Sequence, residues 1–165
     1  MSAFDPQEFL NSPQSSGFDT RFPLHKAGDW LGYIGSGERD ISTRVVNGTD
    51  KETGSPVERP VMEVWCYTED PNALGDGGIA PARARYTIWL DVASDGKTLD
   101  MAPGKNRQLG YLLTATGHQS KDGKATKPWS RQSLAGQRVK YRVAHSPRKD
   151  TGELQADVTQ VASPA

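Results

Sequence analysis

Five runs of this chain alternate apolar and polar residues with the period of two that belongs to extended strands, and that pattern leaves few folds open. In "RARYTIWLDV", residues 83–92, Tyr86, Ile88, Leu90 and Val92 share one face, opposite Arg85, Thr87, Trp89 and Asp91. In "VERPVMEVWCY", residues 57–67, Met62, Val64 and Cys66 face away from Val61, Glu63, Trp65 and Tyr67. "DWLGYIGSGERDISTRVV", residues 29–46, predicts one long strand, and its Gly32, Gly35 and Gly37 predict bulges and a bend. The turn cluster "NGTDKETGSP" joins these two strands, and "QRVKYRVAHSPRKDTGELQADVTQV" predicts two more strands around "SPRKDTG".

Before that last hairpin, "GKNRQLGYLLTATG" carries a helical spacing instead. Leu109, Leu112 and Leu113 fall on one side, and Gly117 supplies a C-cap. The expected class is mainly β: a five-stranded, OB-fold-like barrel with one short helix between strands 3 and 4. We divide the chain into a flexible N-terminal arm (1–27), the OB-fold-like domain (28–162) and a disordered tip (163–165). The loop 68–82 is acidic and rich in glycine.

The 17 glycines and 11 prolines suit short strands joined by many turns. The lone Cys66 cannot form an internal disulfide, and no apolar run near the start is long enough for a signal peptide or membrane span. A cytoplasmic protein with no membrane association is the expectation. Net charge is zero, yet residues 97–149 hold 12 Lys or Arg against two Asp or Glu, while residues 1–96 carry a net charge of −7. A basic segment inside a neutral chain is the electrostatic footprint of a fold that meets phosphates along one edge.

Single-stranded nucleic acid takes a mixed aromatic and cationic surface, because bases stack on rings while cations follow the backbone. The candidates in strands 2 and 3 are Trp65, Tyr67, Arg85 and Trp89. The same aromatics could instead fill the end of a barrel, since a bulge moves side chains to the other face. In the last hairpin Arg138, Lys140 and Arg142 alternate with Val139, Tyr141 and Val143, and the turn adds Arg148 and Lys149. Lysine and arginine on an exposed strand also resist edge pairing. "GKN" lacks the glycine spacing and the Ser or Thr of a phosphate-gripping nucleotide loop, so Lys105 and Arg107 are read as openers of a helix whose N-terminus favours an anion or needs only a cap.

Enzyme signatures are thin, and no cofactor is expected. His25, His118 and His145 with Cys66 show no metal-ligand spacing and are read as surface histidines. Asp91, Asp95 and Asp100 would suit a magnesium-dependent nuclease, but "LDVASDGKTLD" looks more like a strand end and an Asp-Gly turn.

The run "WLDVASDGKTLDMAPGKNRQLGYLLTATG", followed by "KPWS", "SLAGQRVKYRVAH" and "TGELQADVTQV", resembles a family of tailed-phage proteins encoded among replication and recombination genes. Its members begin with an "FDPxxFL" arm, matched by Phe4, Asp5, Pro6, Phe9 and Leu10. The resemblance extends to Leu90 and Asp91, Gly104 to Asn106, Leu109 and Gly110, Pro128 and Trp129, and Ala156 to Val158. It implies an OB-fold protein that binds single-stranded DNA. We further expect a non-enzyme of the host cytoplasm that self-associates and works beside other replication or recombination proteins. The 68–82 loop departs from that pattern, and the acidic, hydrophobic C-terminal tip of bacterial single-stranded-DNA-binding proteins is missing. The alternative is a β-rich interaction or virion accessory protein whose basic hairpin meets a protein partner.

Overall fold

Where the alternation is unbroken the chain forms strands, and where glycines interrupt it the strand is cut. The computed structural model describes residues 3–13, 23–74 and 81–164. Six strands follow one another: β1 (Gly28–Ile34), β2 (Ile41–Thr49), β3 (Pro56–Thr68), β4 (Ala82–Trp89), β5 (Arg138–Pro147) and β6 (Leu154–Ala162). Helix α1 (Pro6–Asn11) lies in the arm, and α2 (Arg107–Ala115) and α3 (Arg131–Leu134) lie between β4 and β5.

Two expectations are corrected. The strand count is six rather than five, because the expected long first strand is two strands, β1 and β2. A methyl group on Gly32 would overlap the Tyr67 carbonyl, and one on Gly35 would overlap the Asp40 carboxylate. These glycines admit a close approach of β1 to β3, and the chain turns away directly afterwards. In the break, Asp40 accepts from the Gly37 amide (2.9 Å) and from the Tyr67 hydroxyl (2.5 Å), so its carboxylate fixes the corner. The second correction is that α2 is not the lone helix. Ser130 and Ser133 form a capping box that starts α3 seven residues before β5.

The strand order is β1-β5-β6-β4-β3-β2, and β1 also pairs with β3 through Tyr33–Tyr67 and Ile34–Cys66. Five strands are therefore linked in a closed circuit of pairings, with β2 attached along the N-terminal part of β3. All pairings are antiparallel except β4–β6, which is parallel and rests on the pair Arg85–Asp157. Met62, Val64 and Cys66 of β3 and Ala84, Tyr86 and Ile88 of β4 point into the core as the alternation predicts, against Leu109, Leu112 and Leu113 of α2. Burial pushes the Cys66 thiol up to about 12, which leaves it a small apolar side chain without nucleophilic character.

The start of α2 is set by Asn106, which adopts the left-handed conformation at φ 53°. Its side chain accepts from the Asp91 amide (2.8 Å) and donates to the carbonyls of Asp91 and Asp100 (3.0 Å each). Its backbone N–H donates to the Asp91 carboxylate at 2.9 Å. β4 consequently stops at Trp89, and Asp91, expected on the strand face, becomes part of this clasp.

Two of the three histidines are buried, not superficial: His25 and His118 are each 1% exposed. His25 donates from Nδ1 to the Lys26 carbonyl (2.9 Å), which leaves Nε2 to accept from the Tyr141 hydroxyl (2.9 Å), and its ring packs edge-on against Trp30 and Tyr141. His145 Nε2 donates to the His25 carbonyl at 2.7 Å, and the Lys26 amide donates to Ala73. The segment 23–27, read as the end of the arm, is thereby fastened to the strands. No helix among the described residues is long and apolar enough to cross a membrane.

Asn106→Ala removes three side-chain hydrogen bonds and places an alanine at positive φ, so urea unfolding should show a loss of about 3 kcal/mol. Asn106→Gly keeps the backbone freedom and should lose less. Burial holds the His25 and His118 pKa values below the ordinary 6.5, so the unfolded chain binds more protons there than the folded one. Stability should be full above pH 6.5 and fall below it by up to about 1.4 kcal/mol per pH unit for each histidine, and His25→Gln should flatten that dependence in urea titrations.

Candidate nucleic-acid interface

The alternation that sends Tyr86 and Ile88 into the core sends Arg83, Arg85, Thr87 and Trp89 to the opposite face of β4. Across the antiparallel pair Trp65 faces Arg85, Tyr67 faces Arg83, and Val61 faces Trp89. Residues directly opposite one another stand on the same face, so the two strands together present an aromatic and cationic surface. The Arg83 guanidinium lies 4.5 Å from the centre of the Trp65 ring and that of Arg85 lies 5.8 Å away. Arg59, one strand end further on, lies 5.0 Å over Trp89. These separations are within the range of cation–π attraction.

Glu63 organises the cations. Its Oε1 accepts from Arg44 Nε (2.5 Å) and from Arg85 Nη1 (3.5 Å), which ties β2, β3 and β4 together on this face. Arg85 Nε is buried and has no hydrogen-bond partner.

The parallel contact of β4 with β6 brings the β5–β6 turn over this surface. One groove is lined by Trp65, Arg83, Arg85, Arg148 and Leu154, with Pro23, Leu24 and His25 at its other wall. An adjoining groove is lined by Arg44, Arg85, Thr87, Trp89, Arg148 and Lys149. Arg85, Arg148, Gln155 and Asp157 line both, so the two form one trough with a tryptophan in each part. Of the acids on its wall, Asp150 pairs with Arg148 at 3.3 Å and Asp157 accepts from Ser146 (2.7 Å) and Gln155 (3.3 Å), while Glu153 stands exposed.

Of the residues singled out in the sequence, Trp65, Arg85, Trp89, Arg148 and Lys149 come together here. Tyr67 does not line the trough. Its ring stacks on Tyr33 (centroids 5.8 Å apart, 13° between planes), and burial and Asp40 hold its phenol above the ordinary range. Arg138, Lys140 and Arg142 lie on the exposed face of β5 opposite Tyr33, Leu31 and Asp29 of β1, and Lys140 and Arg142 line a different groove. Arg142 grips Asp29 through two hydrogen bonds (2.7 and 3.3 Å).

Lys105 is exposed in the turn before α2, and Arg107 donates to the Tyr111 hydroxyl at 3.0 Å; neither lines the trough. The carboxylate nearest the start of α2 is the chain's own Asp91. Asp95 accepts from the Lys97 and Thr98 amides and the Thr98 hydroxyl, and these contacts close its turn. Among the described residues no three His, Cys, Asp or Glu side chains converge as a metal site.

Arg44, Arg59 and Arg83 were missed in the sequence. Arg83 was legible, since it shares the alternation of Arg85. Arg44 and Arg59 needed the β2–β3 register, which joins Arg44 to Val61 and Val46 to Arg59. Compared with family models and with curated proteins, the chain matches none of them.

Proposed function

We propose that this chain binds single-stranded DNA with little sequence preference, seating it in the trough between the β3–β4 face and the β5–β6 turn. The observation that carries the proposal is Trp65, flanked by Arg83 and Arg85 with Arg148 on the facing wall. Base stacking on Trp65 and Trp89 would give sequence-tolerant affinity, and Arg83, Arg85, Arg148 and Lys149 would follow the phosphates.

The strand order supports an OB-fold reading. With β1 and β2 taken as one interrupted strand, the order is that of a five-stranded Greek-key barrel with its helix between the third and fourth strands. The resemblance to tailed-phage replication and recombination proteins fits the same role, in which the protein coats or protects single strands and needs no catalytic group. A protein-binding role is the second reading. It is favoured by the separate groove around Lys140 and Arg142, whose floor is largely apolar.

Fluorescence anisotropy of a labelled oligothymidine, titrated at several salt concentrations, tests the proposal. Trp65→Ala and Trp89→Ala should each weaken binding by roughly 5- to 150-fold, the equivalent of about 1–3 kcal/mol per stacked base. Arg85→Ala with Arg148→Ala should lower the magnitude of the salt slope by about 1.4, given about 0.7 per phosphate contact on a single strand. Arg138→Ala/Lys140→Ala/Arg142→Ala should leave that slope nearly unchanged. The reverse pattern, in which the β5 triple variant loses binding and the tryptophan variants keep it, would sink the trough as the interface.

A further inference from the structure

We propose that residues 4–10 of one copy of this chain dock into the groove between β1, β5 and β6 of a second copy. The inference is independent of the trough, because the groove shares no lining residue with it.

The first half of the argument is the segment itself. Asp5 caps α1, its Oδ1 accepting from the amides of Gln7 (3.0 Å) and Glu8 (3.3 Å), and Pro6 occupies the first turn. Phe4 precedes the cap and packs on Phe9 with ring centroids 5.4 Å apart, the N′-to-N4 contact of a hydrophobic staple. Cap, proline and staple shape this turn locally, without a core. α1 buries none of its residues, and Phe4 and Leu10 are each 72% exposed. Local ordering with apolar side chains outward suits a docking element, since part of the entropy cost of binding is met in advance.

The second half is the groove. Trp30, Leu31, Tyr141, Val161 and Ala162 give it an apolar lining, and Lys140 and Arg142 stand at its rim. Leu31 is 46% exposed there. Lys140 has no ion-pair partner among the described residues, whereas Arg142 already neutralises Asp29. The segment brings two carboxylates, Asp5 and Glu8, beside its aromatic and aliphatic groups, so apolar surface meets apolar surface and acid meets base. Among the described residues none of α1 is buried and none lines this groove.

Sedimentation velocity of the full chain over a wide concentration range is the test. The wild type should self-associate reversibly. Phe4→Ser/Leu10→Ser and Leu31→Glu, all at exposed positions, should each raise the dissociation constant at least tenfold with unchanged circular dichroism. Mixed together, those two variants should associate again, because one still carries an intact arm segment and the other an intact groove. Lys140→Glu should weaken association, and Glu8→Lys in the partner copy should restore it. A wild type that is monomeric at every concentration, self-association that survives both variants, or a mixture that fails to associate would each overturn the proposal. Oligothymidine binding at low protein concentration should persist in the Phe4→Ser/Leu10→Ser variant, which separates this result from failure of the trough.

Discussion

The close approach of β1 to β3 at Gly32 is the constraint on which the rest of the structure depends. The Tyr67 carbonyl occupies the space that any side chain at position 32 would need, so β1 can lie against β3 at one end while it pairs with β5 along its length. That double pairing turns a sheet of six strands into a closed circuit and gives the core residues of β3, β4 and β5 a common interior. The Tyr33–Tyr67 stack and the Tyr67–Asp40 hydrogen bond sit at the same junction and hold it from the outside. The junction closes the circuit in which β6 lies against β4, and that pairing sets the β5–β6 turn beside the tryptophans.

Charge is arranged for orientation more than for stability. Ion pairs such as Arg44–Glu63 and Arg142–Asp29 involve exposed arginines, and exposed pairs contribute little net free energy. Their effect is to fix where cations stand. Glu63 holds Arg85 beside Trp65, and Asp29 holds Arg142 at the rim of the β1–β5–β6 groove. A chain of zero net charge can in this way present local positive surface, since the acids that balance it are spent on positioning or lie elsewhere.

The basic segment that is continuous in sequence is divided in space. Arg138, Lys140 and Arg142 lie on β5 against β1, while Arg148 and Lys149, a few residues later, lean over β3 and β4 from the turn. A strand runs along one wall of the circuit and its turn projects beyond that wall, so neighbours in a single hairpin serve different surfaces. The aromatic residues divide likewise: Trp65 and Trp89 border the trough, Trp30 lines the other groove, and Tyr67 is spent on the β1–β3 junction.

The sequence by itself determined which residues form strands β3 to β6, which face of each enters the core, and the leucine side of α2, because side-chain period is a local property of the backbone. It also exposed Trp65, Arg85 and Trp89 as one mixed face, for the same reason. Only the tertiary structure decided that the first strand is two, that His25 and His118 are interior, that Asn106 and Asp91 clasp one another across fourteen intervening residues, and which cations meet which tryptophans. Those outcomes depend on strand register and on contacts between distant segments, such as Gly32 with Tyr67 or Arg85 with Asp157. No local period encodes such contacts; they are selected by which backbones can approach closely enough to share a core.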